Sequence, residues 1–219
     1  MLQIVDRQKL LQGAKEPTPE NLLAPQVGRL DLSKLYGAHT SFPLPKMRVP
    51  SMAHDRAGAT RDLVMVVGET RKFDCATPRQ VVLFADVSDE QHPVMVSSYT
   101  VPDDDGRLCS EGAAASAHTL YKKFAFISHF NAGVRALDIR DPYRPREVGY
   151  FIPAATDKTC AKANDKAPCV RIIQTNNVET DERGYVYIVD RANTGMHILE
   201  VTGEARKIAN FPRKEAKAQ

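Results

Sequence analysis

An all-β fold assembled from repeated four-stranded units is the class this sequence predicts, on three observations. The first is an internal repeat. Residues 125–138, AFISHFNAGVRALD, return 62 positions later and without a gap as 187–200, YIVDRANTGMHILE, matching Asn131 to Asn193, Gly133 to Gly195 and Asp138 to Glu200. The second is period-two alternation in runs such as VRALDI and YVYIVD, which suits strands and excludes a helical solenoid. The third is another internal match, at a shift of 52, in which Asp86, Asp89, Pro93 and Val96 return as Asp138, Asp141, Pro145 and Val148. Self-similarity of this kind marks a repeat architecture, whose unit is a supersecondary module that buries its faces on its neighbours.

The elements of one unit follow in order. Its first strand opens at YGAHT (36–40), ASAHT (115–119) and QTNNV (174–178). The second and third are read from FAFISHF, then NAG, then VRALDI: two β-branched and aromatic runs around a tight turn. Asn131 and Gly133, like Asn193 and Gly195, tolerate the positive φ that such a turn demands. The fourth strand starts after the Asp-Pro turn, where Pro93 and Pro145 sit at positions that need no ladder donor. Four antiparallel strands in meander order, repeated radially, are the blades of a β-propeller; a β-helix has much shorter repeats. The predicted organisation is a blade at 36–100, a blade with a leading loop at 101–152 and another at 153–212. Residues 1–35 are a remnant of a preceding blade, LQIVD, with a long connection, and 213–219 form a basic disordered tail. Closed propellers need about four to eight blades. The expectation is therefore a partial propeller or C-terminal half, completed by preceding blades or by a homo-oligomer.

Composition narrows the class further. The 219 residues suffice for a sizeable core, and 42% hydrophobic with 26% charged residues argues against disorder. The formal charge is only +3, from 30 Lys and Arg against 27 Asp and Glu, and the basic residues are dispersed. The one cluster, 206–217, is a terminal tail containing Glu215, so no nucleic-acid partner is expected. No apolar run approaches the ~18 residues of a membrane span. Asp6, Arg7 and Lys9 stand where the apolar core of a secretory signal would lie, but a chain that opens in mid-blade makes that uninformative. Of the four cysteines, Cys75, Cys109, Cys160 and Cys169, none forms a CxxC pair. Cys160 and Cys169 flank the polar loop AKANDKAP and read either as a disulfide pinning it or as two reduced thiols. An even count with loop-flanking placement favours disulfides, and with them a periplasmic or extracellular location.

Three stretches, YIVDRANTGMHILE, FNAGVRALDIRDPYRPREVGYFIP and LQIVDRQKLLQGAKEPTPENLL, resemble the bacterial LVIVD-repeat family, named for this strand motif. The resemblance covers nearly the whole chain. It implies a β-propeller, longer than this chain and often exported. It implies little about activity, because the family is largely without an assigned reaction. Related members carry a longer polar segment after the Gly-Ala-His of the second copy, whereas here Ala117-His118-Thr119 runs almost directly into Leu120-Tyr121-Lys122-Lys123.

In a propeller the first strands line the channel, so their starts converge: His39, His118 and Asn176-Asn177. The ends of the second strands add Glu69, His129 and Arg191, from VVGE, FISH and IVDR. These seven residues are the candidate ligand-binding set. Within it His39, His118 and Glu69 would suit a divalent transition metal, whose open position could activate water or dioxygen. Imidazole and carboxylate also suit general acid–base work without a metal. The competing reading is structural, with His39-Thr40 and His118-Thr119 satisfying backbone groups and Glu69 paired with Arg191. His54, His92 and His197 are poorer candidates; His92 lies in a turn and His197 is expected to face outward. No GxSxG elbow, phosphate loop or HExxH helix is present. ETDERG (179–184) reads as a turn with solvated charges, and the recurring Asp6, Asp86 and Asp138 read as turn caps. The function expected is a binding or scaffold protein of unknown biochemical activity, holding a small molecule or protein on its channel face. The alternative is a metal-dependent oxidase or hydrolase at His39, His118 and Glu69.

Overall fold

Alternating apolar residues and Asp-led turns fold the described residues into four small antiparallel sheets. A computed structural model describes residues 1–34, 36–55, 58–69, 81–102, 124–162 and 165–210, and the backbone of 116–120. The first sheet pairs β1 (Leu2–Val5) with β2 (Gln26–Leu30), joined through the short helices α1 (Arg7–Gln12) and α2 (Pro19–Leu23). The second is the meander β3 (Ala38–Arg48), β4 (Thr60–Gly68), β5 (Val82–Asp86) and β6 (Val94–Tyr99). The third repeats that order as β7 (Ser116–Leu120), β8 (Phe124–Ser128), β9 (Val134–Asp138) and β10 (Arg146–Phe151). The fourth holds β11 (Thr175–Thr180), β12 (Tyr185–Asp190) and β13 (Gly195–Glu200), followed by helix α3 (Gly203–Ala209). Among the described residues no helix is long and apolar enough to cross a membrane.

The recurring aspartates cap turns, as expected. The Oδ1 atoms of Asp6, Asp86 and Asp138 each accept from the N–H two residues on, at Gln8 (2.8 Å), Ser88 (2.9 Å) and Arg140 (3.0 Å). Asp89 and Asp141 repeat this one turn later, accepting from Gln91 N–H and Tyr143 N–H. Such local bonds draw the backbone out of the ladder and close the link between third and fourth strands.

The sheets stack face to face. Leu63, Met65 and Val67 of β4, with Val82 and Phe84 of β5, meet Ala125 and Ile127 of β8 and Leu137 and Ile139. The opposite faces of β8 and β9, Phe124, Phe126, Val134 and Ala136, meet Val178, Val186 and Ile188 of the fourth sheet and Ala205 of α3. Leu2, Leu30 and Leu32 cover the other face of the second sheet at Val66 and Ala85. Strands β8 and β9 are thus buried on both sides, and each large apolar side chain removed from water there contributes about 1.5–3 kcal/mol. Ladder partners reveal the sense of the stack. The Met65–Phe84 pair, facing the third sheet, corresponds to Phe126–Ala136, which faces the fourth. The Ala125–Leu137 pair, facing back, corresponds to Val186–Leu199, which also faces back. Successive sheets are turned, never flipped. Their first strands β3, β7 and β11 touch in sequence. Polar ties add to the interface between the second and third sheets: the Tyr143 hydroxyl donates to Asp86 (2.8 Å) and the Tyr99 hydroxyl to Glu147. Burial, then the Asp86 carboxylate, pushes the Tyr143 phenol up to about 12.

The gapless repeat conceals a one-residue slip. In the third sheet Ser128 pairs with Val134, and the His129 N–H closes the turn on Gly133 O (2.7 Å). In the fourth, Val189 pairs with Met196 and Asp190 with Gly195, so the turn there is one residue longer. Gly133 takes φ +70°, and a Cβ at that position would stand 2.1 Å from Phe151 O. The other positive φ in the third-sheet turn belongs to Phe130 (φ +26°), not to Asn131 as expected; in the fourth sheet it belongs to Asn193 (φ +71°).

Cys160 and Cys169 stand at bonding distance with Cα atoms 5.2 Å apart, within the range of a disulfide, and Ala161 and Val170 bridge beside them. Cys75 and Cys109 lie outside the described residues.

Candidate functional site

The first strands of the second and fourth sheets carry a β-bulge at the same rung. In β3 the Ala38–Gly68 and Thr40–Val67 pairs leave His39 as the extra residue. In β11 the Thr175–Asp190 and Asn177–Val189 pairs leave Asn176. A bulged residue escapes the alternation of the strand and re-aims its side chain. Here each one reaches the residue that follows the second strand. His39 Nε2 stands 2.9 Å from Glu69 Oε2, and its Nδ1 lies 2.8 Å from Thr40 Oγ1. Arg191 Nη1 donates to Asn176 Oδ1 at 3.2 Å. Gly37 makes the first of these approaches possible, since a Cβ there would lie 2.2 Å from Glu69 O.

Ladder pairing corrects the expected equivalence of Glu69, His129 and Arg191. Val67, Ser128 and Val189 occupy one rung, so the residues that match are Glu69, Phe130 and Arg191. His129 instead matches Gly68 and Asp190 and is buried. The two first-strand histidines are not equivalent either. His118 pairs with Phe126, the rung held by Phe42 opposite Met65 and by Glu179 opposite Tyr187. The Ala-His-Thr likeness aligns letters, while the ladder puts His118 three residues beyond the bulge rung. Among the described residues no group of three or more His, Cys, Asp or Glu is placed to hold a metal ion. The side chain of His118 is outside that description. Glu69 pairs with His39, and the expected Glu69–Arg191 bridge is replaced by separate pairings.

Around Arg191 the third and fourth sheets are knit together. Thr175 N–H donates to Phe130 O (3.0 Å), bridging the sheets, and Ser128 Oγ donates to Asn176 O (2.8 Å). The Arg191 guanidinium lies 4.2 Å from the centre of the Phe130 ring, and its Nε donates to Gln174 Oε1 (3.0 Å). Asp190 braces the corner by accepting from Gln174 N–H (2.6 Å) and Ala192 N–H (2.7 Å). Asn176 Nδ2 donates in turn to Asn177 Oδ1 (2.6 Å). A positive φ is uncommon for a bulky aromatic, so the Phe130 backbone is held by its surroundings rather than by preference. Gln174 and Phe130 were not singled out from the sequence. The signal that could have found Phe130 is its position after the second strand, once the slip is allowed for.

Other candidates lie elsewhere. His92 bonds Asp89 in its turn (3.0 Å), as its place in the sequence suggested. His197, expected to face outward, shares a rung with Ile188 and so lies on the face turned to the third sheet, with its ring 5.7 Å from that of Phe151. ETDERG forms the expected turn, with Gly184 N–H donating to Asp181 O (3.0 Å). A separate cleft of about 550 Å³ runs between β10 and the β13–α3 corner, lined in part by Phe126, Val148, Phe151, Ile198, Val201 and Ala205. In comparisons with known proteins, neither a protein-family model nor a curated protein matches this chain.

Proposed function

We infer that the chain is part of a β-propeller of the LVIVD-repeat kind, and that it works as a binding module rather than a catalyst. Its ligand or partner is held on the face where the first strands begin. The same-sense stacking of successive sheets and the contact between their first strands support the propeller. Further blades come from additional chain or from a second copy. The Cys160–Cys169 pair supports an exported, oxidising location.

One observation carries the binding assignment. The turn-capping aspartates recur from copy to copy, yet one rung beside the bulges holds Glu69, Phe130 and Arg191. Repeated residues build the scaffold; the rung where the copies disagree carries recognition. A ligand that binds only the folded state raises its melting temperature by mass action. Thermal-shift screening of the wild type, His39→Ala and Arg191→Ala against a broad metabolite panel tests the reading. The expected result is a ligand that stabilises the wild type, loses that effect in at least one variant and is recovered unchanged. Recovery of a converted product, or equal shifts in all three proteins, would overturn it.

A further inference from the structure

We propose that the bulge of the fourth sheet recognises the carboxylate of a small organic acid, which Arg191 takes with Gln174 and Asn177 beside it; this rests on the binding-face reading above. A guanidinium has five N–H donors and no acceptor, so every group it touches must turn an acceptor toward it. Gln174 turns Oε1, and Asn176 turns Oδ1. That fixes both amide orientations, with neither NH₂ group donating to the cation. Asn176 passes its donor to Asn177 Oδ1, which leaves the Asn177 NH₂ as the outer end of the relay. Gln174 is 6% exposed, and its Nε2 meets no hydrogen-bond partner among the described residues. Nε2 shares a carbon with the Oε1 that touches Arg191, so this buried donor lies beside the guanidinium.

Arg191, Gln174 and Asn177 therefore each keep unused N–H donors at the corner. Phe130 covers one face of the guanidinium, and its Nε is engaged by Gln174. Nη2 makes no hydrogen bond among the described residues and remains at the exposed end of the side chain. A planar acceptor with paired oxygens meets such an edge best. Charge selects within that group. The site offers one cation with neutral amide donors, and Asp190 supplies a negative charge at the same corner. With Asp190 already offsetting part of the guanidinium charge, a monoanionic carboxylate is accommodated better than a phosphate dianion, which would lack a second cation.

The test is a calorimetric titration with butyrate and, separately, with inorganic phosphate, alongside amide shifts of ¹⁵N-labelled protein. Butyrate is expected to saturate, with shifts confined to residues around 174–177 and 191. Arg191→Ala should weaken it roughly tenfold or more, and Arg191→Lys less, because it keeps the charge but loses the fork. Gln174→Glu should abolish it by seating a built-in carboxylate against the guanidinium, and circular dichroism checks that each variant is folded. Three results would overturn the assignment: no saturation of the wild type, equal binding by folded Arg191→Ala, or tighter binding of phosphate than of butyrate. A ligand from the thermal screen that needs the bulge residues but has no carboxylate would sink this assignment alone. Absence of any bulge-dependent ligand would sink the binding-face reading with it.

Discussion

Asp181, in the turn between β11 and β12, accepts from the N–H groups of Arg183 (2.9 Å) and Tyr185 (3.1 Å), from Arg183 Nε (2.7 Å) and from the Tyr187 hydroxyl (2.9 Å). Desolvation would raise its pKa. The bonds from Arg183 and Tyr187, with the two backbone donors, outweigh that and lower it to about 2. All of these donors favour the ionised carboxylate. A carboxyl whose folded pKa lies below its unfolded value stabilises the fold fully above the unfolded pKa of about 4. That contribution fades as pH falls through the folded value. The wild type is therefore expected to be more stable than Asp181→Asn at pH 5, with the gap closing as pH falls toward 2. Urea midpoints of the two proteins across that range measure it, and a gap independent of pH would show that the carboxylate charge is not what the turn uses. The Asp138 side chain follows the same sign: burial would raise its pKa, but Arg140, bonded to it at 2.8 Å, holds it below the usual carboxylate range.

At the scale of elements, the strands and their turns were legible and the register was not. Period-two runs and Asp-led turns locate β8, β9, β12 and β13 because alternation and local side-chain bonds are written in adjacent residues. A turn that gains one residue leaves the count between distant letters unchanged if the preceding strand shifts by one, and that is what separates Ser128–Val134 from Val189–Met196. Sequence likeness therefore matched His129 to Glu69, where the ladder matches Phe130. The bulges at His39 and Asn176 were illegible for the same reason, since a bulge is defined by the partner strand. The loop 160–169 was legible from its flanking cysteines. Closing a loop of that length is expected to stabilise the fold by about 2–3 kcal/mol through the unfolded chain's entropy. The Cys160→Ser, Cys169→Ser double variant should lose that amount in denaturant unfolding and become insensitive to reductant at these positions. A variant as stable as the oxidised wild type would mean that the Ala161–Val170 bridge holds the loop without the sulfur link.

Across the whole molecule the stack has a middle and an end, and neighbouring residues feel the difference. The repeat in the sequence anticipated several sheets of one kind. Which faces would be covered depends on what packs on each sheet: a continuous apolar run such as 124–127 suits burial on both faces, yet the equally apolar run 185–189 is covered on one face only. In β8, Phe126 faces the fourth sheet and Ile127 the second, and both are buried. In β12, Ile188 is fully buried against the third sheet while its neighbour Val189 is 45% exposed, beside Met196 at 61% and opposite the covered face. Truncating a packed apolar side chain forfeits its transfer energy and leaves a cavity, whereas truncating an exposed one does neither. Phe126→Ala and Ile127→Ala should therefore each cost about 3–5 and 2–5 kcal/mol respectively. In the fourth sheet Ile188→Ala should cost a similar 2–5 kcal/mol and Val189→Ala within about 0.5 kcal/mol. Denaturant unfolding of the four variants reads the stack directly. If Val189→Ala costs as much as Ile188→Ala, the outer face of the fourth sheet is covered in solution, and the loss should grow with protein concentration where a second copy supplies the cover. If Phe126→Ala is silent, the third and fourth sheets are not packed as described, and the bulge corner built across them at Phe130 and Arg191 fails too.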